Sequence, residues 1–87
     1  MIQTHTFRGT KYDVDITGDI EGRTDDPRGG RPTLLICTDI TTKKGLETII
    51  HESLHACSFL KSEDAVGQTA YDIARLLWRI GFRCKAK

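Results

Sequence analysis

The 87-residue chain has no long hydrophobic run. Its longest uninterrupted apolar segment is residues 34–37, whereas a helix that crosses a membrane needs about 18 or more apolar residues. The polar N-terminus also lacks the apolar centre of a signal peptide. We therefore expect a cytoplasmic protein that does not associate with membranes.

The chain also has little cysteine and no excess of one charge. The three cysteines, Cys37, Cys57 and Cys84, include no CxxC pair of the kind found in zinc ribbons and redox motifs. We expect reduced thiols, mostly in the core, with one disulfide as the alternative. The 13 Lys and Arg residues nearly balance the 12 Asp and Glu residues, so the strongly basic composition of a nucleic-acid-binding domain is absent.

Basic residues are nevertheless concentrated near the C-terminus, where Arg75, Arg79 and Arg83 recur every four residues. Such a stripe is usually a solvated helix face, so we expect no nucleic-acid partner. An acidic partner or a nucleic acid bound there remains the alternative.

The length of the chain bears on its number of domains and on its stability. We expect a single domain over residues 1–87. A domain this small buries only about 60% of its unfolded surface, so a bound metal or a partner subunit, as in a homodimer, would help it to stay folded.

The N-terminal half has the pattern of strands, over about residues 2–39. Tyr12, Val14 and Ile16 alternate with polar residues, which predicts a hairpin of residues 3–8 and 11–17 with its turn at 9–11. Residues 18–32 hold four glycines and two prolines, so we expect a loop. Residues 33–39 are apolar and predict a buried core strand.

The C-terminal half has the pattern of two helices. Thr42 is placed to cap a helix over about residues 43–59, and Ser62 a helix over about 62–80. The second helix has an apolar stripe that should pack on the first, and Trp78 and Phe82 should close the core against the sheet. The members of the stripe are Val66, Ala70, Ile73, Leu77 and Ile80. The predicted fold is α+β, with a small antiparallel or mixed sheet packed on both helices.

The first helix contains the motif HExxH, formed by residues 51–55. Two histidines four residues apart lie on the same face of a helix, so His51 and His55 can bind one Zn²⁺. Glu52, beside the first histidine, can act as general base on a water bound to the zinc. The alternatives are an ordinary polar helix face without metal and a structural zinc without catalysis.

A catalytic zinc has three protein ligands, so a third is needed. Position 61 is lysine, which excludes the extended three-histidine motif, and His5 lies near the N-terminus. Glu63 shares a face with Val66 on the second helix and is the predicted ligand, with Asp64 as substitute. We expect Gly67, one turn later, to allow close approach of the first helix.

Residues 45–83 resemble a group of small HExxH proteins, many of them encoded by phages and prophages. The segments TIIHESLHA, SEDAV and LLWRIGFR carry the resemblance. It implies a minimal zincin-like fold, zinc ligands at His51, His55 and Glu63, and a catalytic Glu52. It also implies the cytoplasm of a host cell if a phage encodes the chain.

These observations favour a zinc metallopeptidase that hydrolyses peptide or protein substrates. The competing hypothesis is a non-catalytic protein, stabilised by zinc, that binds a host or viral partner. The sequence identifies no substrate-binding residue.

Overall fold

The structure is a computed structural model and describes residues 4–16, 22–24, 32–36, 39–58 and 61–84. These residues form strands followed by two helices, so the predicted α+β class is confirmed. No described helix has the length and apolar character needed to cross a membrane. The elements are β1 (Thr4–Phe7), β2 (Thr10–Ile16), β3 (Gly22–Thr24), β4 (Thr33–Ile36), α1 (Lys43–Cys57) and α2 (Glu63–Arg79).

The strands form one mixed sheet in the order β1-β2-β4-β3. β1 and β2 are an antiparallel hairpin, β2 and β4 are parallel, and β3 pairs antiparallel with β4. The hairpin turn is Arg8-Gly9, where both φ angles are positive (47° and 84°), as in the two-residue turns whose twist matches that of the strands. Since Thr10 pairs with Phe7, the turn predicted at residues 9–11 is shifted by one residue.

Strand β3 lies within the segment predicted to be a loop, so that part of the prediction is wrong. Its three residues pair along β4, with Arg23 opposite Leu35, and this pairing outweighs the poor strand propensity of the segment. Residues 18–21 and 25–31 lie outside the described residues. β4 therefore has neighbours on both sides, and over Thr33–Ile36 it is the core strand that its apolar residues predicted. Residues 37 and 38 are not described, and Asp39 is not in a strand.

The main core lies between the sheet and α1. Tyr12, Leu34, Ile36 and Ala56 are buried there, and the Tyr12 hydroxyl donates a hydrogen bond to the Ala56 carbonyl at 3.5 Å. Four half-buried side chains pack around this cluster: Phe7, Ile16, Ile40 and Ile49. Tyr12 thus connects β2 with the C-terminal turn of the helix that carries the HExxH motif.

Helix α2 packs mainly on α1, so the prediction that the sheet packs on both helices holds for α1 only. Val66, Ala70 and Ala74 are buried against α1, but Ile73 and Ile80, predicted to pack there, are 38% and 63% exposed. The second half of α2 is apolar on two sides, and only one of them can face α1.

Two further residues predicted to be buried near the C-terminus are exposed. Phe82, expected to close the core against the sheet, is 60% exposed and lines an open groove with Trp78 and Ile49. Cys84 is exposed and Cys57 is half-buried, and neither is in a disulfide among the described residues. Cys37 lies outside the described residues.

Both predicted helix caps are confirmed. The Thr42 hydroxyl accepts a hydrogen bond from the Gly45 amide at 3.0 Å, and the Ser62 hydroxyl accepts one from the Ala65 amide at 3.2 Å. α2 ends in a Schellman turn, because Gly81, with φ of 104°, and Phe82 donate their amides back into the last turn. The caps place the start of each helix, and therefore its ligand-bearing residues, at a defined point in the chain.

Candidate metal centre

His51 and His55 lie one turn apart on the side of α1 that faces α2. Their ring centroids are 5.0 Å apart with an angle of 60° between the ring planes. Their side chains are 21% and 13% exposed, so the rings are shielded but still reachable from solvent. The four-residue spacing within one helix is the cause of this placement.

Glu63 is the first residue of α2, and it meets both histidines. Its Oε1 lies 2.5 Å from Nε2 of His51, and its Oε2 lies 2.9 Å from Nε2 of His55. Because Ser62 caps α2 immediately before Glu63, the carboxylate projects from the start of the helix toward α1. The two oxygens therefore bridge the two imidazoles.

These three side chains could hold a metal ion, since their donor atoms all lie within 4.8 Å of one another. Tetrahedral zinc with ligands at about 2.0–2.1 Å has donor atoms about 3.3 Å apart. The present N–O separations of 2.5 and 2.9 Å are shorter, so an ion would need a modest outward shift of the carboxylate. The Glu63 side chain is 71% exposed, which leaves room for that shift.

The ionisation of Glu63 suits a metal ligand. Burial raises the pKa of the carboxyl, but hydrogen bonds from His51 and His55 and the charges of both rings outweigh this effect, so the pKa lies below its ordinary value. Glu63 is therefore a carboxylate at neutral pH, the form that binds metals. Two imidazoles and one carboxylate are a donor set of catalytic zinc sites, in which a fourth position is open to water.

A groove of about 310 Å³ is lined by two of the three donors, His51 and Glu63. Its lining residues are largely polar and come from both helices: Lys44, Glu47, Thr48, His51, Glu52, Glu63 and Gly67. Glu52, the predicted general base, thus lines the same groove as His51 and Glu63. A water or a substrate carbonyl in this groove would lie beside both the donor set and the Glu52 carboxylate.

Two other candidate ligands are not part of the group. Asp64 lies exposed in the first turn of α2, and His5 lies on β1, where its ring contacts Phe7 at a centroid distance of 4.8 Å. Among the described residues, the group that could hold a metal consists of His51, His55 and Glu63. Tyr12, which could have stabilised an oxyanion, is fully buried in the core instead.

Gly45 positions α1, a role that was not predicted from the sequence. A Cβ atom there would lie 2.0 Å from the Asp39 carbonyl oxygen and 2.7 Å from Cα of Ile40, so only glycine allows this approach. A Cβ atom at Gly67 would lie 3.9 Å from Cε1 of His51, an ordinary contact. The expectation that Gly67 is needed for close helix packing is therefore wrong. A glycine in the first helical turn was the only sequence signal for Gly45.

No protein-family model, curated protein or solved structure matches the chain.

Proposed function

We propose that this protein is a zinc-dependent metallopeptidase. The observation that carries the proposal is the contact of Glu63, at the start of α2, with both histidines of the HExxH motif on α1. An HExxH motif on a helix supplies two ligands and a base. The contact with Glu63 supports a third ligand from a different element, which matches the donor number of a catalytic zinc site.

Each residue has a defined role in the proposed reaction. His51, His55 and Glu63 hold the ion through Nε2 of each ring and the carboxylate. When bound, Zn²⁺ polarises the substrate carbonyl and lowers the pKa of a water to about 7. Glu52 accepts the proton of the attacking water and delivers it to the leaving amine.

We propose that the substrate is a peptide or protein segment lying in the groove that adjoins the donors. The groove runs along α1 from His51 toward Lys44, so an extended chain can place a carbonyl beside Glu52. Neither Cys57 nor Cys84 forms a disulfide within the described part of the chain, which suits the reducing cytoplasm. If a phage encodes the protein, that compartment is the cytoplasm of its host.

Replacement of Glu52 tests the mechanism. Glu52→Gln keeps the size of the side chain but removes the base, so we expect normal zinc content and a fall in peptide hydrolysis of about 10²–10⁴-fold. Zinc is measured by elemental analysis and hydrolysis with a fluorogenic peptide library. Asp64→Asn is the matched control, because Asp64 is an exposed acid outside the donor group, and it should cleave at the wild-type rate.

A second candidate is a non-catalytic protein that zinc stabilises and that binds another macromolecule. The observation that favours it is the exposed apolar surface of α2, where Leu76 and Ile80 are 59% and 63% exposed. Under this hypothesis the wild-type protein contains zinc but cuts no peptide, and Glu52→Gln changes nothing. Cleavage by the wild type together with its loss in Glu52→Gln would eliminate this alternative.

A further inference from the structure

The second half of α2 leaves an apolar face uncovered. Ile73, Leu76 and Ile80 are 38%, 59% and 63% exposed, and their spacing of three and four residues aligns them along one side of the helix. Contiguous exposed apolar side chains of this size, next to charged residues, are typical of an interaction surface.

Two opposite charges flank this face. Asp72 and Arg79 are both exposed, and their spacing of seven residues, two helical turns, places them on the same side of α2. The Asp72 carboxylate accepts a hydrogen bond from Nε2 of Gln68 at 3.1 Å, which orients it along this flank. The face thus has one acid near one end and one base near the other.

We propose that α2 pairs antiparallel with α2 of a second copy of this chain, across a twofold axis that passes between residues 75 and 76. In this register Asp72 lies opposite Arg79 of the second copy, and the reciprocal pair forms on the other side of the axis. The apolar side chains of the two helices, centred on Leu76, pack between the two ion pairs. A twofold interface requires a surface that is complementary to itself, and this arrangement of charges meets that requirement.

The charges favour a second copy over an acidic partner. The Arg83 guanidinium lies 3.4 Å from the centre of the Trp78 ring and donates hydrogen bonds to the carbonyls of Trp78 and Phe82. It therefore folds back on its own chain. Asp72 would repel an acidic surface, and parallel pairing of two copies would bring like charges together. Arg75 is rotated by about 100° from Leu76 and stays at the solvent-exposed rim.

The proposed dimer does not depend on the metallopeptidase hypothesis. Glu63 faces α1, whereas Leu76 and Ile80 face solvent, so the pairing leaves the candidate metal centre accessible. The interface of one helix pair is small, and we expect reversible association in which the mass rises from that of one chain, 9.8 kDa, toward twice that value with concentration.

Charge reversal tests both the contact and its register, with sedimentation equilibrium as the measurement. Asp72→Arg alone places arginine opposite arginine, and Arg79→Asp alone places aspartate opposite aspartate. Each variant should therefore associate at least about tenfold more weakly than the wild type. An equimolar mixture of the two variants should regain wild-type association, because every pair across the axis is then Arg opposite Asp. Circular dichroism checks that each variant is folded.

Three results would overturn the proposal. The wild type could remain a monomer at all concentrations, which would leave the apolar face to a different partner. The single variants could associate as strongly as the wild type, which would place the contact elsewhere. The mixture could stay as weak as the single variants, which would exclude this antiparallel register.

Discussion

Glu63 uses one carboxylate oxygen for each histidine, at 2.5 Å from His51 and 2.9 Å from His55. This bridging contact satisfies both imidazoles without a metal, and it also brings together a donor set that a metal can take over. The two histidine side chains keep only 21% and 13% of their surface exposed, so each ring depends on a partner in the protein. The zinc affinity of a variant at one of these three positions therefore shows whether that residue is a metal ligand or only forms a hydrogen bond.

We predict that Glu63→Gln weakens zinc binding by more than about 100-fold. Replacement of groups that only support a ligand usually costs 10–100-fold in metal affinity, so loss of a direct carboxylate ligand should cost at least that much. Titration against a chromophoric chelator gives the affinity. Asp64→Asn is the matched control at the adjacent position and should bind zinc as the wild type does. Equal affinities for Glu63→Gln and wild type would move the third ligand elsewhere.

At this scale, the helical spacing predicted which acid faces α1. Glu63 is three residues before Val66, which is fully buried in the structure, and the neighbouring Asp64 points elsewhere. The periodicity of one helix could not give the distance between two helices. The sequence therefore could not predict that one carboxylate bridges both rings.

The start of α1 depends on the close approach of two backbone segments. Asp39 accepts hydrogen bonds from the Thr41 amide and hydroxyl, and its own carbonyl accepts from Thr42. A Cβ atom at position 45 would overlap the same carbonyl oxygen. The first turn of α1, and with it the direction of the helix that carries His51 and His55, thus requires glycine at position 45.

We predict that Gly45→Ala destabilises the protein by about 3 kcal/mol, because the added methyl group overlaps backbone atoms that cannot move independently. Alanine has the higher helix propensity by about 1 kcal/mol, which offsets only part of this cost. Gly67→Ala is the matched control, and since its Cβ atom meets only an ordinary contact, it should stabilise by up to about 1 kcal/mol. Urea unfolding in the presence of a chelator measures both variants. A stabilising effect of Gly45→Ala would contradict the proposed overlap.

The caps and the ends of the helices followed from local sequence, since Thr42, Ser62 and Gly81 act within one turn of their own positions. The local sequence did not determine which side of α2 is buried. Its apolar residues cover more than one face, and the periodic pattern included Ile73 and Ile80, which are exposed. Ala70, which the pattern included, and Ala74, which it did not, face α1, because two helices approach most closely where side chains are small.

The molecule consists of a sheet, α1 and α2 in succession, with its main core on one side of α1 only. Tyr12, Leu34 and Ile36 are buried between the sheet and α1, whereas α2 adds mainly Val66 and two alanines to its contact with α1. The fully buried side chains that α2 contributes are therefore small. An ion held by residues from both helices would add stability to this contact.

We predict that zinc raises the unfolding temperature of the whole protein. A ligand that binds only the native state stabilises it by about 4 kcal/mol at a concentration 1,000-fold above its dissociation constant. Scanning calorimetry with and without zinc measures the shift, which should disappear in His55→Ala. His5→Ala is the matched control, because His5 lies on β1 and outside the donor group. An equal zinc-dependent shift in both variants would show that the stabilising ion binds elsewhere.

The sequence by itself determined the α+β class, the positions of both helices and the shared face of His51 and His55 on α1, because these depend on spacing within a few residues. Tertiary structure alone decided that β3 pairs with β4, that Gly45 sets the approach of α1, and that Leu76 and Ile80 remain exposed. Each of these outcomes depends on which surfaces meet in space. Local propensity cannot specify that, because it carries no information on distances between elements far apart in the chain.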